Sequence, residues 1–438
     1  MSRPVINVLL FAVVAALIVI EAWKFDLNAA LFLVNMGLLS ALMALGVNLQ
    51  WGYAGLFNIG VMGFVALGGL AAVLVGMQPV PEAWAAGGGR MIVALILGAG
   101  TIVAALFAWQ RMAPGRTRNW VVAAIVVFGW LAYRFFFDPA RDAIEAVNPA
   151  GTGFLGGLGL EGFAVTLAWP VGGLFAAGAA WIIGKTALGL RSDYLAIATL
   201  GIAEIIISIL KNEDWLSRGV KNVVGVPRPV AYEVDLQASQ SFLDRAAAWG
   251  FTDPVVASTL YVKVSYTVLF AVVLAIVVLL AQLALNSPWG RMMRAIRDNE
   301  TAAEAMGKDV TRRRLQVFIL GSAICGLAGA MLTTLEGQFV PGQYQPLRFT
   351  FLIWVMVIIG GSGNNWGSIL GGFLIFTLWT QGDWAADDIA AWLNNTLGET
   401  NWFAREFNEA QSYLRLVFMG VALLAILRFA PRGLIPER

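Results

Sequence analysis

Long apolar runs, bounded by charged residues, Pro or Gly, recur along the whole chain. Thr267–Leu285 is one of them, and such a run approaches the roughly 20 residues that cross about 30 Å of hydrocarbon as a helix. The pattern predicts an all-α polytopic membrane protein, with one transmembrane domain over residues 1–438 and about 10–12 transmembrane helices. The predicted spans are residues 4–22, 28–49, 57–76, 91–110, 119–137, 163–184, 194–211, 258–285, 312–335, 348–360, 366–382 and 412–429. The first and fifth spans are expected to be peripheral.

The composition also indicates a chain that lies mostly in lipid. Hydrophobic residues make up 59% of the sequence and charged residues 13%, whereas soluble domains are about one-quarter charged. The chain has no histidine, which excludes His-based acid–base catalysis and His-ligated metals. Its single cysteine, Cys325, excludes a disulfide framework within one chain. No catalytic residue, metal site or nucleic-acid motif is therefore predicted.

Lys and Arg cluster in four short segments, and their distribution predicts the orientation of the spans. The basic segments are residues 111–118, 185–191, 291–314 and 428–438. The segments 139–162 and 383–411 are acidic. Twelve spans place all four basic segments on one face, which the positive-inside rule makes cytoplasmic. Both termini are then cytoplasmic, the first span is expected to be uncleaved, and residues 383–411 form an acidic periplasmic loop.

A second periplasmic loop is predicted over residues 212–257. This long loop is mixed in charge and contains Trp215, Trp249 and three prolines. Its length predicts some structure of its own. Two interpretations stay open: a lid over the helix ends, or a docking surface for a partner, with docking slightly favoured.

The segment between two apolar spans, residues 286–314, is dense in charge and is predicted to be cytoplasmic. Ser287 is a favourable N-cap, because its hydroxyl can accept from a free backbone N–H. Pro288 suits the first helical position, which needs no N–H donor. A short helix is therefore predicted from Pro288 to about Arg297.

A second short helix is predicted over Glu300–Met306. Asp298 or Asn299 would cap its start, and Gly307 would supply the left-handed residue that ends it. Thr311 is then expected to cap the next membrane span.

One side of this second helix carries small apolar residues. Ala302, Ala303 and Met306 form that side, with Glu300 and Glu304 along a flank. Small side chains allow a close approach of another backbone, and a flexible Met fills an irregular groove. The pattern indicates either a projection that fits a partner's cleft or an ordinary basic loop that happens to be helical.

The sequence of this segment resembles a motif of one known family. Residues 294–307 read RAIRDNETAAEAMG, which is similar to the coupling loop of ABC-importer permeases in the form typical of branched-chain amino acid permeases of the LivM type. Thr301 stands where the E-A-A motif has an acid. Other similar stretches are WGYAGLFNIGVMGFVALGG (51–69), LRSDYLAIATLGIAEI (190–205), GLAGAM (326–331), VIIGGSGNNWGSILGG (357–372) and RFAPRGLIPER (428–438). Departures at 57–60 and 217–227 bear on the substrate.

The resemblance implies a non-enzymatic permease half with a type II-like fold in the bacterial inner membrane. It would pair with a second homologous permease and two ABC ATPase subunits, and a periplasmic binding protein would deliver the cargo. ATP and Mg would be held by the ATPases, with no cofactor in this chain. Branched-chain or related hydrophobic amino acids are the expected cargo; urea, short amides or another amino acid class are the alternatives. The ATPase-coupling residues implied are Glu300, Thr301, Ala302, Ala303, Glu304, Met306 and Gly307.

Four residues are candidates for the translocation pathway: Gly55, Asn58, Gly60 and Glu204. The glycines either break a helix beside a cavity or allow close helix packing, and packing is expected to explain most of them. Asn58 is predicted to face the pathway. An intramembrane carboxylate such as Glu204 should face the bundle interior. A proton relay there, as in an ion-coupled secondary transporter, would need paired charges, so a structural role is favoured.

Overall fold

The computed structural model describes residues 3–148, 153–398 and 401–437, and these fold almost entirely into helices. The helices are α1 (Arg3–Lys24), α2 (Leu27–Ala54), α3 (Val61–Gly76), α4 (Pro81–Ala83), α5 (Gly89–Arg111), α6 (Arg116–Ala146), α7 (Ala168–Ala187), α8 (Ser192–Asn212), α9 (Asp214–Ser217), α10 (Glu233–Ala238), α11 (Gln240–Ala248), α12 (Pro254–Asn286), α13 (Pro288–Asp298), α14 (Glu300–Ala305), α15 (Val310–Glu336), α16 (Pro346–Gly360), α17 (Asn365–Leu397) and α18 (Trp402–Phe429). A π-helical turn, Trp84–Gly88, joins α4 to α5. Turns of 3₁₀ helix cover Gly162–Leu167, Gly219–Lys221 and Pro341–Gln343.

Within the described residues, two strands of two residues each form the sheet. Strand β1 (Val223–Val224) pairs antiparallel with β2 (Gln338–Phe339), so that Val223 lies opposite Phe339. The pairing joins the long loop to the chain that follows α15.

Eight helical segments in the described part of the chain are long and apolar enough to cross a membrane. They contain α1, α2, α5, α6, α7, α8, α12 and α15. The bent helix α18 makes a ninth if its two parts form one span, and α3 and α16 are apolar but only 16 and 15 residues long. Each of the twelve predicted spans coincides with one of these helices or with α17. The all-α, multi-pass architecture is confirmed.

The helices divide into a buried centre and a periphery. In the most apolar window of α2, 78% of the residues are buried, against 11% in α1 and α5 and 6% in α6. Helices α15, α16 and α17 pack against α2 at the centre, and α3 and α7 pack against α15 and each other. The first and fifth spans, α1 and α6, are peripheral as predicted, and α5 joins them.

Glycines bring three central helices together. A Cβ on Gly68 of α3 would lie 1.8 Å from the carbonyl oxygen of Gly326 on α15, and one on Gly172 of α7 would lie 3.0 Å from the same oxygen. Backbones this close leave no room for side chains, which is the usual way that helices pack within membranes. The interpretation of the glycines as packing residues holds here.

Two predicted loops differ in the structure. Within the described residues, most of the predicted loop 383–411 is helical: α17 continues to Leu397 and α18 begins at Trp402. Asp383, Asp387 and Asp388 are exposed on α17, whose Ala386, Ala390 and Leu393 remain buried at helical spacing. Glu406 and Glu409 lie on α18, and Glu399 lies outside the described residues. Likewise, α6 continues to Ala146, into the predicted acidic loop 139–162. The long loop 212–257 does contain structure of its own, in α9, α10, α11 and β1.

Candidate functional site

The first helix of the charged segment is anchored to the membrane core. Ser287 caps α13 by accepting from the backbone N–H of Trp289 at 3.2 Å, as predicted. Met293 and Ile296 are buried against the central cluster, and α13 contacts α2 and α15. A helix held by an apolar face in this way can move with the helices beneath it.

Arg297, at the end of α13, adds a hydrogen bond and ion pairs that hold this helix to the bundle. Its guanidinium donates to the carbonyl oxygen of Gly52 near the end of α2, and it forms an ion pair with Glu437 at 2.9 Å. A second ion pair joins it to Asp298 at 3.2 Å. Burial opposes the charge of Arg297, but the two carboxylates outweigh burial and raise its pKa above the usual value. Arg297 therefore joins α13, α2 and the C-terminal residues.

The second helix, α14, begins and ends close to the predicted residues. Asn299 caps it by accepting from Ala302 N–H at 3.0 Å, and Gly307 follows it with φ +74°. The cap of the next span was predicted wrongly: Asp309, not Thr311, accepts from the N–H of Arg312 at 2.9 Å. Both residue types are good caps, and α15 begins one residue earlier than Thr311.

The side chains of α14 do not share the predicted face. Ala303 is buried, at 9% exposure, and belongs to the apolar core of this chain, whereas Ala302 is exposed and Met306 is 79% exposed. The prediction of one apolar side made of Ala302, Ala303 and Met306 is therefore wrong, because α14 rests on α15 through Ala303. Glu300 pairs with Arg314 of α15 and fixes the same orientation. The exposed surface of α14, which we call the coupling surface, consists of Thr301, Ala302, Glu304, Ala305, Met306 and Gly307.

Three predicted pathway residues lie in the break between α2 and α3, residues 55–60. Gly55 ends α2 with φ +66°, a conformation that favours glycine. A Cβ on Gly60 would lie 2.2 Å from the carbonyl oxygen of Thr199, so α8 approaches closely there. Asn58 is 1% exposed. In this structure the break is packed inside protein.

Asn58 is the centre of a buried polar network. Its side-chain amide donates to Gln50 Oε1 at 2.9 Å, its side-chain oxygen accepts from Gly60 N–H at 2.9 Å, and its carbonyl oxygen accepts from Trp354 Nε1 at 3.0 Å. Gln50 in turn donates to Ser322 Oγ at 3.0 Å. Non-helical backbone at membrane depth requires such internal partners. The network shows what holds the break closed.

Further residues that the sequence analysis missed complete this network. Thr199 of α8 accepts from Ile59 N–H at 3.1 Å, and Thr350 of α16 accepts from Met62 N–H at 3.4 Å. Gln50 was missed as well, although a polar residue inside an apolar span is a signal that the sequence offers.

Glu204 lies on the outside of the bundle rather than in its interior. It is exposed on α8, and the exposed Gly201 and Ser208 share its face at helical spacing. The expectation that this carboxylate faces the bundle interior is wrong for this chain alone. Leu195, Ala203 and similar residues supply the buried face of α8 instead.

Comparison with known proteins decides the family. A family model described as the permease component of branched-chain amino acid transport systems matches residues 143–427, well over half of the chain. The chain belongs to this family. Two curated relatives are LivM proteins: a high-affinity branched-chain amino acid permease protein of Salmonella typhimurium, 27% identical over 270 residues, and a probable one of Methanocaldococcus jannaschii, 28% identical over 334 residues.

The matches differ in how much of each relative they include. They cover 61% of this chain and 56% of the Salmonella protein, but 74% of this chain and 85% of the Methanocaldococcus protein. The chain thus spans little more than half the length of the bacterial LivM relatives. A probable LivH permease of Methanocaldococcus jannaschii is 31% identical over 111 residues, or 25% of this chain and 34% of that protein. No solved structure matches the chain.

This membership confirms the predicted resemblance to LivM-type permeases and the multi-pass membrane character. The family model describes a permease component of transport systems.

Proposed function

We propose that this chain is the permease subunit of an ATP-driven importer for branched-chain or related hydrophobic amino acids in a bacterial inner membrane. The observation that carries the proposal is the family membership of residues 143–427, together with an exposed helix at one end of an apolar bundle. The LivM relatives are described as branched-chain amino acid permeases. Urea, short amides and other amino acids are the alternative cargo.

The coupling surface on α14 is where separate ATPase subunits would bind. Met306 is 79% exposed and is flanked by the small residues Ala302 and Ala305, so a partner's backbone can approach closely while the flexible thioether fills its groove. ATP and Mg would be bound by those subunits, and the termini and α14 would be cytoplasmic. ATP binding would close the dimer of ATPase subunits and push on α14, and the contacts of Ala303 and Arg297 would pass the movement to α15 and α2 as rigid bodies.

A second permease would cover the exposed face of α8. Glu204 lies in the middle of an apolar helix, and an ionisable side chain facing lipid is costly. The small residue Gly201 next to it permits the close approach of another helix. Cross-linking between Gly201→Cys and cysteines on the partner permease should therefore succeed. A matched Gly100→Cys on peripheral α5 should give no cross-link, and a cross-link only at Gly100 would contradict this interface.

The long loop would receive the binding protein at the end opposite α14. Several large apolar side chains are exposed there, and the largest exposed fractions are 74% for Val234, 70% for Val220 and 66% for Val224. A lid over helix ends would bury such residues, so this exposure favours docking over the lid.

The coupling surface is tested by replacing its methionine. In a complex reconstituted with its ATPases, Met306→Asp should abolish cargo-stimulated ATP hydrolysis and uptake, because it places a charge in an apolar contact. Met306→Leu is the matched control and should retain both activities. Equal activity of the Asp variant and the wild type would contradict the assignment of α14. Competition by valine, urea and acetamide in the same uptake assay would identify the cargo class.

A further inference from the structure

A cavity of about 140 Å³ lies between α2, α3, α15, α16 and α17, and none of the four residues predicted for the pathway is in its lining. Its walls are almost entirely apolar and include Leu39, Met43, Met62, Phe349, Met356 and Trp379. A cavity of about 150 Å³ lined by Leu, Ile and Phe stays dry and accepts a benzene molecule. The volume therefore suits a branched aliphatic side chain and is small for an indole.

One carboxylate interrupts this apolar lining. Glu336, the last residue of α15, is half-buried at the cavity, and no residue within 3–148, 153–398 and 401–437 forms a hydrogen bond or an ion pair with it. The other polar groups in the lining are Ser40, Gln343 and Tyr344, all neutral. A partly desolvated carboxylate is unfavourable unless it is paired, so the site favours a ligand with a cationic group.

The cavity lies at the end of the bundle opposite the coupling surface. Helix α15 begins at Val310, beside α14, and ends at Glu336. Gln343, also in the lining, is exposed, which places the mouth at this end. Met62, farther in, lies two residues beyond the break at residues 55–60, so the closed break is the floor below the cavity.

We propose that this cavity binds the transported amino acid in transit, with the ammonium group on Glu336 and an aliphatic side chain among Met43, Met62 and Met356. The carboxylate of the amino acid would remain at the mouth, where the amide of Gln343 can donate to it. Flexible methionines accommodate side chains of different branching. The inference rests on the proposed function and names the place in this chain that recognises the cargo.

Binding of labelled leucine to the assembled complex in nanodiscs, without the binding protein, tests the proposal. Glu336→Gln is isosteric but uncharged, and it should weaken leucine binding tenfold or more, because charge-assisted hydrogen bonds are the strong ones. Met43→Trp should abolish binding by filling the cavity. Glu82→Gln, an exposed acid on α4, is the matched control and should bind as the wild type does.

A series of competing ligands tests recognition of the ammonium group and of the side chain separately. Isoleucine and valine should compete with leucine, whereas N-acetyl-leucine, which lacks the ammonium group, and tryptophan should not. Unchanged affinity in both Glu336→Gln and Met43→Trp, or equal competition by N-acetyl-leucine, would overturn the cavity proposal, as would the absence of leucine binding to the wild type. Leucine uptake by the complex with unchanged KM in both variants would overturn the cavity alone and leave the proposed function standing.

Discussion

The two ends of the bundle differ in whether their partly buried charged side chains are paired. At the α13–α14 end, Arg297 and Arg314 are both paired with carboxylates and fasten short helices to the core. At the other end, Glu336 lines an apolar cavity without a pair among the described residues. Ion pairs fasten the short surface helices to the bundle, so that they can move together. An unpaired charge instead leaves a position for a charged ligand. The comparison thus separates the end proposed for coupling from the end proposed for binding, which we call the binding end.

The largest effect should come from placing a charge under α14. Ala303→Arg buries a guanidinium in the core, and an uncompensated buried charge costs about 3 kcal/mol or more. We expect α14 to detach from α15, with rapid proteolysis after Lys308 and no uptake. Ala302→Arg places the same side chain on the exposed surface, and it should block ATPase binding without proteolysis. Equal protease resistance of the two variants would show that α14 does not rest on Ala303.

The second-largest effect should follow from removing the Arg297 side chain, which joins α13 to α2. Arg297→Ala leaves the carbonyl oxygen of Gly52 and the carboxylate of Glu437 without their partner, at a cost of about 2 kcal/mol for partly exposed groups. The complex should melt at a lower temperature and hydrolyse more ATP per amino acid imported. Arg291→Ala, on the exposed side of α13, is the control and should change neither quantity. An unchanged ratio of ATP to cargo in Arg297→Ala would argue against this route of coupling.

A smaller loss should follow at the break below the cavity. Asn58→Ala removes an acceptor from Gly60 N–H and a donor from Gln50, which should cost about 1–2 kcal/mol. The denaturant midpoint of the permease in detergent would report the loss. Thr186→Ala, at an exposed hydroxyl of α7, should leave the midpoint unchanged. If the two variants unfold alike, the network does not hold the break closed.

The smallest effect on stability should come from the binding end. Val234→Asp changes a side chain that is 74% exposed, so the fold should be unaffected. Delivery by the binding protein should weaken, seen as a several-fold higher KM for uptake with basal ATP hydrolysis unchanged. Val234→Ala should lie between this variant and the wild type. An unchanged KM in the Asp variant would move the docking surface away from α10.

The sequence was sufficient for features that depend on local chemistry. Apolar runs predicted the helices because each run must satisfy its own backbone in lipid. The caps Ser287 and Asn299 and the terminating Gly307 were predicted from residue type alone. The same local view erred at residues 383–397, where acidic residues mark the polar face of a continuing helix and were interpreted as a loop.

Features that depend on which helices meet could not be predicted. The rotation of the six-residue helix α14 about its axis is set by its contact with α15. The burial of Ala303 therefore depends on tertiary packing and could not be predicted from local sequence. Glu204 attracted notice because it lies in mid-span, yet it is on the outer face. Glu336 ends a span, where a charge is ordinary, and only the packing of α2, α16 and α17 around it makes a cavity.

The short pairing of β1 with β2 links two events that would otherwise be separate. The N–H groups of Gly225 and Val226 in the long loop donate to the carbonyl oxygen of Gly337, at 3.0 and 2.9 Å. Gly337 directly follows Glu336. A protein that binds the long loop and displaces it would therefore also displace the backbone beside that carboxylate. The proposed docking on the loop and the shape of the cavity mouth would then change together.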